Sequence, residues 1–149
     1  MHMYSFLNIA AGADLPTFPV LPLVLVEGKL SAGFPSPADD FNVKRHDLNE
    51  LLVVHPLATF MWQVSGDSMT GFGIHNGDIL VVDRAVAPKH GMIVVAQVDG
   101  DFTVKQLYQR GGRVKLIPGN PTFPEITFRE GQQLTITGVV RASITRHLR

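Results

Sequence analysis

From about residue 58 onward, short apolar runs alternate with Gly, Pro and Asp punctuation. Residues 59–64, 78–83, 92–98, 101–108, 112–117 and 133–140 are rich in Val, Ile, Phe and Thr, which predicts six short strands. Asp99-Gly100 falls between two of these runs and suits the positive φ values of a two-residue hairpin turn. That hairpin places Lys105 in the middle of its second strand. Many short strands with few helices predict a compact, mostly β fold. Ahead of them, residues 46–53 read as a short amphipathic helix ending before Pro56. Ser36-Pro37-Ala38-Asp39 carries a helix-start pattern of hydroxyl, proline and acid. Residues 1 to about 37 hold five of the ten prolines and no sustained period, which predicts an extended strand or tail.

Composition narrows the classes available. At 149 residues, with 45 % hydrophobic and 17 % charged, the chain is long and apolar enough for one core. Lys+Arg and Asp+Glu both number 13, so there is no basic excess of the kind that nucleic-acid binding demands. Strong direct binding to nucleic acid is not expected. With no cysteine, a disulfide framework and a thiolate site are excluded. The six histidines form no HxH or HExxH pair, so neither a metal nor a cofactor is expected. Val20 to Val26 is too short and proline-broken to span a bilayer, and no basic residue precedes it as in a signal peptide. The expectation is a cytoplasmic protein without a membrane segment.

Candidate chemistry rests on Ser68, in Ser65-Gly66-Asp67-Ser68-Met69, and Lys105, in Thr103-Val104-Lys105-Gln106. A serine hydroxyl is a poor nucleophile until a base takes its proton, and lysine serves only when neutral. At a reference pKa near ~10.4, about one lysine in a few thousand is neutral at pH 7, so burial must lower that value. Strand alternation puts Thr103, Lys105 and Leu107 on the face opposite Phe102 and Val104. If that face is solvated, Lys105 is an ordinary surface lysine, and Ser68 could equally be a turn serine. In the functional reading, glycines let a substrate approach and leave the backbone N–H groups of Asp67 and Ser68 to face a developing oxyanion. Asp67 itself reads as a turn-former. Upstream, Ala32-Gly33 joins two small residues that fit a cramped cleft.

Taken together, these stretches resemble a family. Ala32-Gly33-Phe34-Pro35-Ser36-Pro37, Asp47-Leu48-Asn49-Glu50-Leu51-Leu52, His55-Pro56, Gly66-Asp67-Ser68-Met69, Asn76-Gly77-Asp78, Thr103-Val104-Lys105 and Ile117-Pro118-Gly119-Asn120-Pro121 closely resemble the UmuD proteins. These are SOS mutagenesis proteins of bacteria, related to the LexA-type self-cleaving repressors. The resemblance covers about residues 30 to 149, and the intervals from Ala32 to Ser68 and from Ser68 to Lys105 match it. It implies a LexA/signal-peptidase-like β fold with a short N-terminal helix and an extended N-terminal arm. Ser68 would be the nucleophile, Lys105 the general base and Ala32–Gly33 the cut bond, dividing an arm of residues 1–32 from a domain of 33–149. It also implies a homodimer, stimulation by the RecA–single-stranded-DNA filament, and a UmuC-type Y-family DNA polymerase as partner of the trimmed product in translesion synthesis. Ala precedes the scissile Gly where some relatives have Cys, and the first 30 residues show no detailed match.

Three other readings compete with this one. One is a catalytically idle subunit that uses the fold to regulate a polymerase. A LexA- or phage-type repressor needs an N-terminal DNA-binding domain, for which about 32 residues are too few. A membrane signal peptidase with the same dyad needs an anchor.

Overall fold

A computed structural model describes Val20, residues 22–27, 30, 32–33 and 42–148. The chain forms two compact units, Met1–Val54 and His55–Arg149.

In the first unit, β1 (Pro22–Glu27) pairs antiparallel with β2 (Asn42–Asp47), in a register running from Pro22 opposite Asp47 to Glu27 opposite Asn42. The pairing confirms an extended strand in the proline-rich arm. It also adds β2, which the polar run Asn-Val-Lys-Arg-His-Asp did not announce. Leu23, Val24, Leu25 and Val26 remain exposed. Ala32 and Gly33 lie exposed in the connection between β1 and β2. A helix follows, α1 (Leu48–Leu52), shorter than the predicted 46–53 because His46 and Asp47 still belong to β2. Asp47 caps it, its Oδ1 accepting the Asn49 N–H at 3.1 Å. The helix start foreseen at Ser36–Asp39 lies outside the described residues.

The second unit is built on one antiparallel sheet. Its strands are β3 (Thr59–Gln63), β4 (Ile79–Asp83), β5 (Ile93–Val98), β6 (Asp101–Arg110), β7 (Arg113–Ile117), β8 (Ile126–Thr127) and β9 (Leu134–Ile144), in the order β3-β4-β9-β5-β6-β7-β8. All six expected strands form, within a few residues of their expected ends. The β5–β6 turn is the Asp99-Gly100 pair, with φ of 48° and 94°, as the hairpin chemistry requires.

Both faces of β5 are covered, which is why its sequence is apolar throughout. Val95 joins Val64, Met69, Ile74, Leu80 and Val82 on one side, while Val94 and Ala96 join Leu107, Leu116 and Val139 on the other. The first cluster lies under the loop that carries Ser68. At the far end of β4 the buried Asp83 carboxylate accepts hydrogen bonds from Arg141 at 2.5 Å, from His55 at 2.6 Å and from the Ala85 amide at 2.8 Å. Burial alone would raise its pKa, but these donors hold it down to about 2. Among the described residues no helix is long and apolar enough to cross a membrane.

Candidate active site

The loop from β3 to β4 carries Ser68. Its base is pinned by the Val64 N–H donating to the Asp78 carbonyl and the Gly77 N–H to the Val64 carbonyl, both at 2.8 Å. Gly66 and Gly73 take positive φ, 100° and 76°, which a side chain would resist. Between them Met69 is 1 % exposed and plugs the loop into the core beneath, leaving Ser68 half-buried beside it.

Lys105 comes from β6, directly opposite Val94 of β5. It is only 7 % exposed, so the face that could have been solvated is closed. Its Nζ lies 2.8 Å from Ser68 Oγ, 2.9 Å from Thr103 Oγ1 and 3.0 Å from the Val104 carbonyl oxygen. Among the described residues no carboxylate pairs with it. Burial therefore acts unopposed and pushes the amine's pKa down, toward the neutral form.

The neighbouring edge is open. β6 pairs with β5 through Asp101–Gln106, but β7 covers its other side only from Gln106 onward. The Leu107 N–H donates to Met92 beyond the start of β5, so odd-numbered groups of β6 point to the β5 side and Phe102 and Val104 point away. Among the described residues no strand pairs with that edge at 102–104. Beside it lies a cleft of about 240 Å³, lined by Trp62, Val64, Leu80, Val95, Phe102 and Val104, with Ser65, Ser68 and Thr103 also on its walls. The rings of Trp62 and Phe102 pack at 4.8 Å.

Residues 24–141 match the Peptidase S24-like family. The chain belongs to that family. Among its relatives, Protein SamA of Salmonella typhimurium is 47 % identical over 113 residues, covering 76 % of this chain and 78 % of that one. Protein ImpA of Escherichia coli is 46 % identical over 127 residues, 84 % and 86 % of the two chains. Protein MucA of the same species is 44 % identical over 120 residues, 80 % and 82 %. Within the S24-like family the chain thus stands among the UmuD-type proteins of SOS mutagenesis, as its motifs implied.

Of the residues singled out in the sequence, Ser68 and Lys105 meet. The amides of Asp67 and Ser68 donate to no other described group, so both are available. Ala32 and Gly33 belong to the first unit. No group of His, Asp and Glu that could hold a metal occurs among the described residues. Sequence reasoning missed Thr103 as a partner of the amine, although strand alternation already put it on the same face as Lys105. It also missed the brace behind Ser68. The Gly119 N–H donates to the Ser68 carbonyl at 2.7 Å, and Asn120 Nδ2 donates to the Asp67 carbonyl at 3.0 Å.

Proposed function

We propose that this protein cuts its own Ala32–Gly33 bond, with Ser68 as nucleophile and Lys105 as general base. The single observation that carries the reading is the environment of the Lys105 amine. As an ammonium it would donate to Ser68, Thr103 and Val104 together. As a free amine it has two N–H groups and one lone pair. The Val104 carbonyl takes one N–H and Thr103 Oγ1 the other, so the lone pair is left for the Ser68 hydroxyl.

The chemistry then balances with no cofactor. Lys105 takes the Ser68 proton while Oγ bonds to the Ala32 carbonyl carbon, whose oxygen becomes an oxyanion facing the Asp67 and Ser68 amides. Collapse breaks the C–N bond, and Lys105 gives its proton to the leaving Gly33 amine. Water, deprotonated by the same amine, releases the Ala32 carboxylate and restores Ser68. The open edge of β6 at 102–104 fits an added extended segment, hydrogen-bonded along its backbone beside the nucleophile.

Residues 1–32 would be the arm removed and 33–149 the domain retained. Because the arm is tethered, its effective concentration is high and intrinsic affinity need not be. Slow cleavage would then reflect a rarely populated cleavable conformer, and the RecA–single-stranded-DNA filament would act by binding that conformer preferentially. The trimmed homodimer would serve a UmuC-type polymerase, in keeping with the chain's UmuD-type relatives.

Mass spectrometry of the purified chain after incubation at about pH 10 tests this. A new N-terminus at Gly33 is expected, absent in Ser68→Ala and Lys105→Ala. Equal trimming in wild type and both variants would refute it.

A further inference from the structure

The turn after β7, Pro118-Gly119-Asn120-Pro121, lies across the back of the Ser68 loop and makes none of the contacts that the cleavage chemistry uses. Gly119 approaches closely enough that both of its backbone groups bond to the loop. Its N–H donates to the Ser68 carbonyl and its carbonyl accepts the Gly71 N–H, each at 2.7 Å. A side chain there would force Phe72 to shift, since a Cβ on Gly119 would lie 2.5 Å from Phe72 Cδ2 and 3.1 Å from its backbone nitrogen.

Asn120 takes the adjacent position, and its amide has only one workable orientation. Its Oδ1 accepts from the Thr122 backbone N–H at 3.1 Å and from the Thr122 hydroxyl at 2.9 Å. A backbone N–H only donates, so the NH2 end must be the one that faces Asp67. There it donates at 3.0 Å to the Asp67 carbonyl, which also accepts the Thr70 hydroxyl at 3.3 Å. The Asp67 carbonyl and the Ser68 N–H belong to one peptide plane and, in a trans peptide, point in opposite directions. Holding the carbonyl against Asn120 therefore aims the Ser68 N–H away from the turn.

We propose that Asn120 is a positioning residue, whose side-chain N–H locks the Asp67–Ser68 peptide so that the Ser68 amide faces the oxygen that gains charge during cleavage. The inference rests on the Ser68–Lys105 reading. Asn120 touches neither substrate nor reacting atoms and acts only through the peptide it holds. It also draws electron density onto the Asp67 oxygen, which makes the Ser68 N–H a better donor.

The test uses the full chain and follows self-cleavage from pH 7 to 11, below the melting temperature of every variant. Asn120→Asp keeps the acceptor for Thr122 but replaces the donor with a second acceptor opposite the Asp67 carbonyl. Loss of one oxyanion donor lowers kcat by about 10²–10³. Misaiming one is expected to lower the high-pH plateau by about ten- to a hundredfold. The added carboxylate favours the ammonium and so can only raise the midpoint of the pH profile, which belongs to Lys105; the plateau above it carries the test. Thr122→Ala, which leaves the Asn120 donor in place, should cleave within a few-fold of wild type.

An Asn120→Asp plateau equal to wild type overturns the inference, and so does a loss that arises wholly from a moved midpoint. Independently of folding in that variant, a peptide boronate ending in Ala added to the wild-type chain should move the Ser68 amide proton resonance downfield. An unmoved resonance in the adduct also overturns it. If wild type and Ser68→Ala are trimmed alike, the cleavage reading itself has failed, and the inference fails with it.

Discussion

Replacing Thr103 by Val probes the amine most directly. The two side chains are close in shape and both are β-branched, so β6 keeps its strand preference. What is lost is the 2.9 Å contact between Thr103 Oγ1 and Lys105 Nζ. A hydrogen bond of this kind contributes about 1 kcal/mol net, and rather more when one partner is charged. Two effects of different sign on the pH profile follow. The threonine oxygen stabilises the ammonium, so its removal lowers the amine's pKa further and moves the midpoint to lower pH. The free amine meanwhile loses one of the two acceptors that fix its lone pair on Ser68, so the plateau falls by about five- to tenfold, roughly 1.4 kcal/mol per decade. Rate constants for the appearance of the Gly33 N-terminus across pH 7–11 read both quantities from one data set. A plateau that stays at the wild-type level, or a midpoint that rises, would refute the account of how the amine is held.

Other perturbations have outcomes equally open to measurement. Asp83, buried and held at about pKa 2 against an ordinary 3.8, stabilises the fold fully above the ordinary carboxylate value; acid unfolding should show up to about 2 kcal/mol lost as pH falls from about 4 to about 2. Asp83→Asn should flatten that part of the stability curve in denaturant titrations. Gly71→Ala would place a Cβ 2.1 Å from the Gly119 carbonyl oxygen, so the brace behind the Ser68 loop must shift. A loss of about 1–3 kcal/mol in chemical denaturation is expected, with slower cleavage of the folded fraction. Unchanged stability would mean that the turn yields freely.

Local chemistry made much of the second unit legible. Val- and Ile-rich runs punctuated by Gly and Asp located β3 to β7 and β9, and Asp99-Gly100 gave the β5–β6 turn. β6 runs on to Arg110 because Gly111 and Gly112, with φ of 58° and 72°, turn the chain two residues later than the apolar pattern stops. β2 was hidden because its run is polar and Lys44, Arg45 and His46 stay exposed, so no apolar alternation marks it. β8 has two residues, too few for any pattern.

The site divides in the same way. Ser68 and Lys105 could be named from motif and spacing, but burial of the amine could not, since it depends on a loop 37 residues away folding over the open side of β6. Thr103 was within reach of simple alternation. Asn120 was not, because its partner at Asp67 lies 53 residues back and becomes a neighbour only when β7 delivers the turn behind the loop.

The β1–β2 hairpin bears on what a nick in its connection accomplishes. Six residue pairs, from Pro22 with Asp47 to Glu27 with Asn42, join the strands on either side of Ala32–Gly33. Scission of the backbone there leaves that ladder intact, so bond breaking and departure of the peptide are separate events with separate rates. A denaturing gel would register the first while a gel-filtration column still recorded an unchanged particle. Any timing between chemical commitment and the exposure of a new surface would then be set by how fast one short strand peels from another.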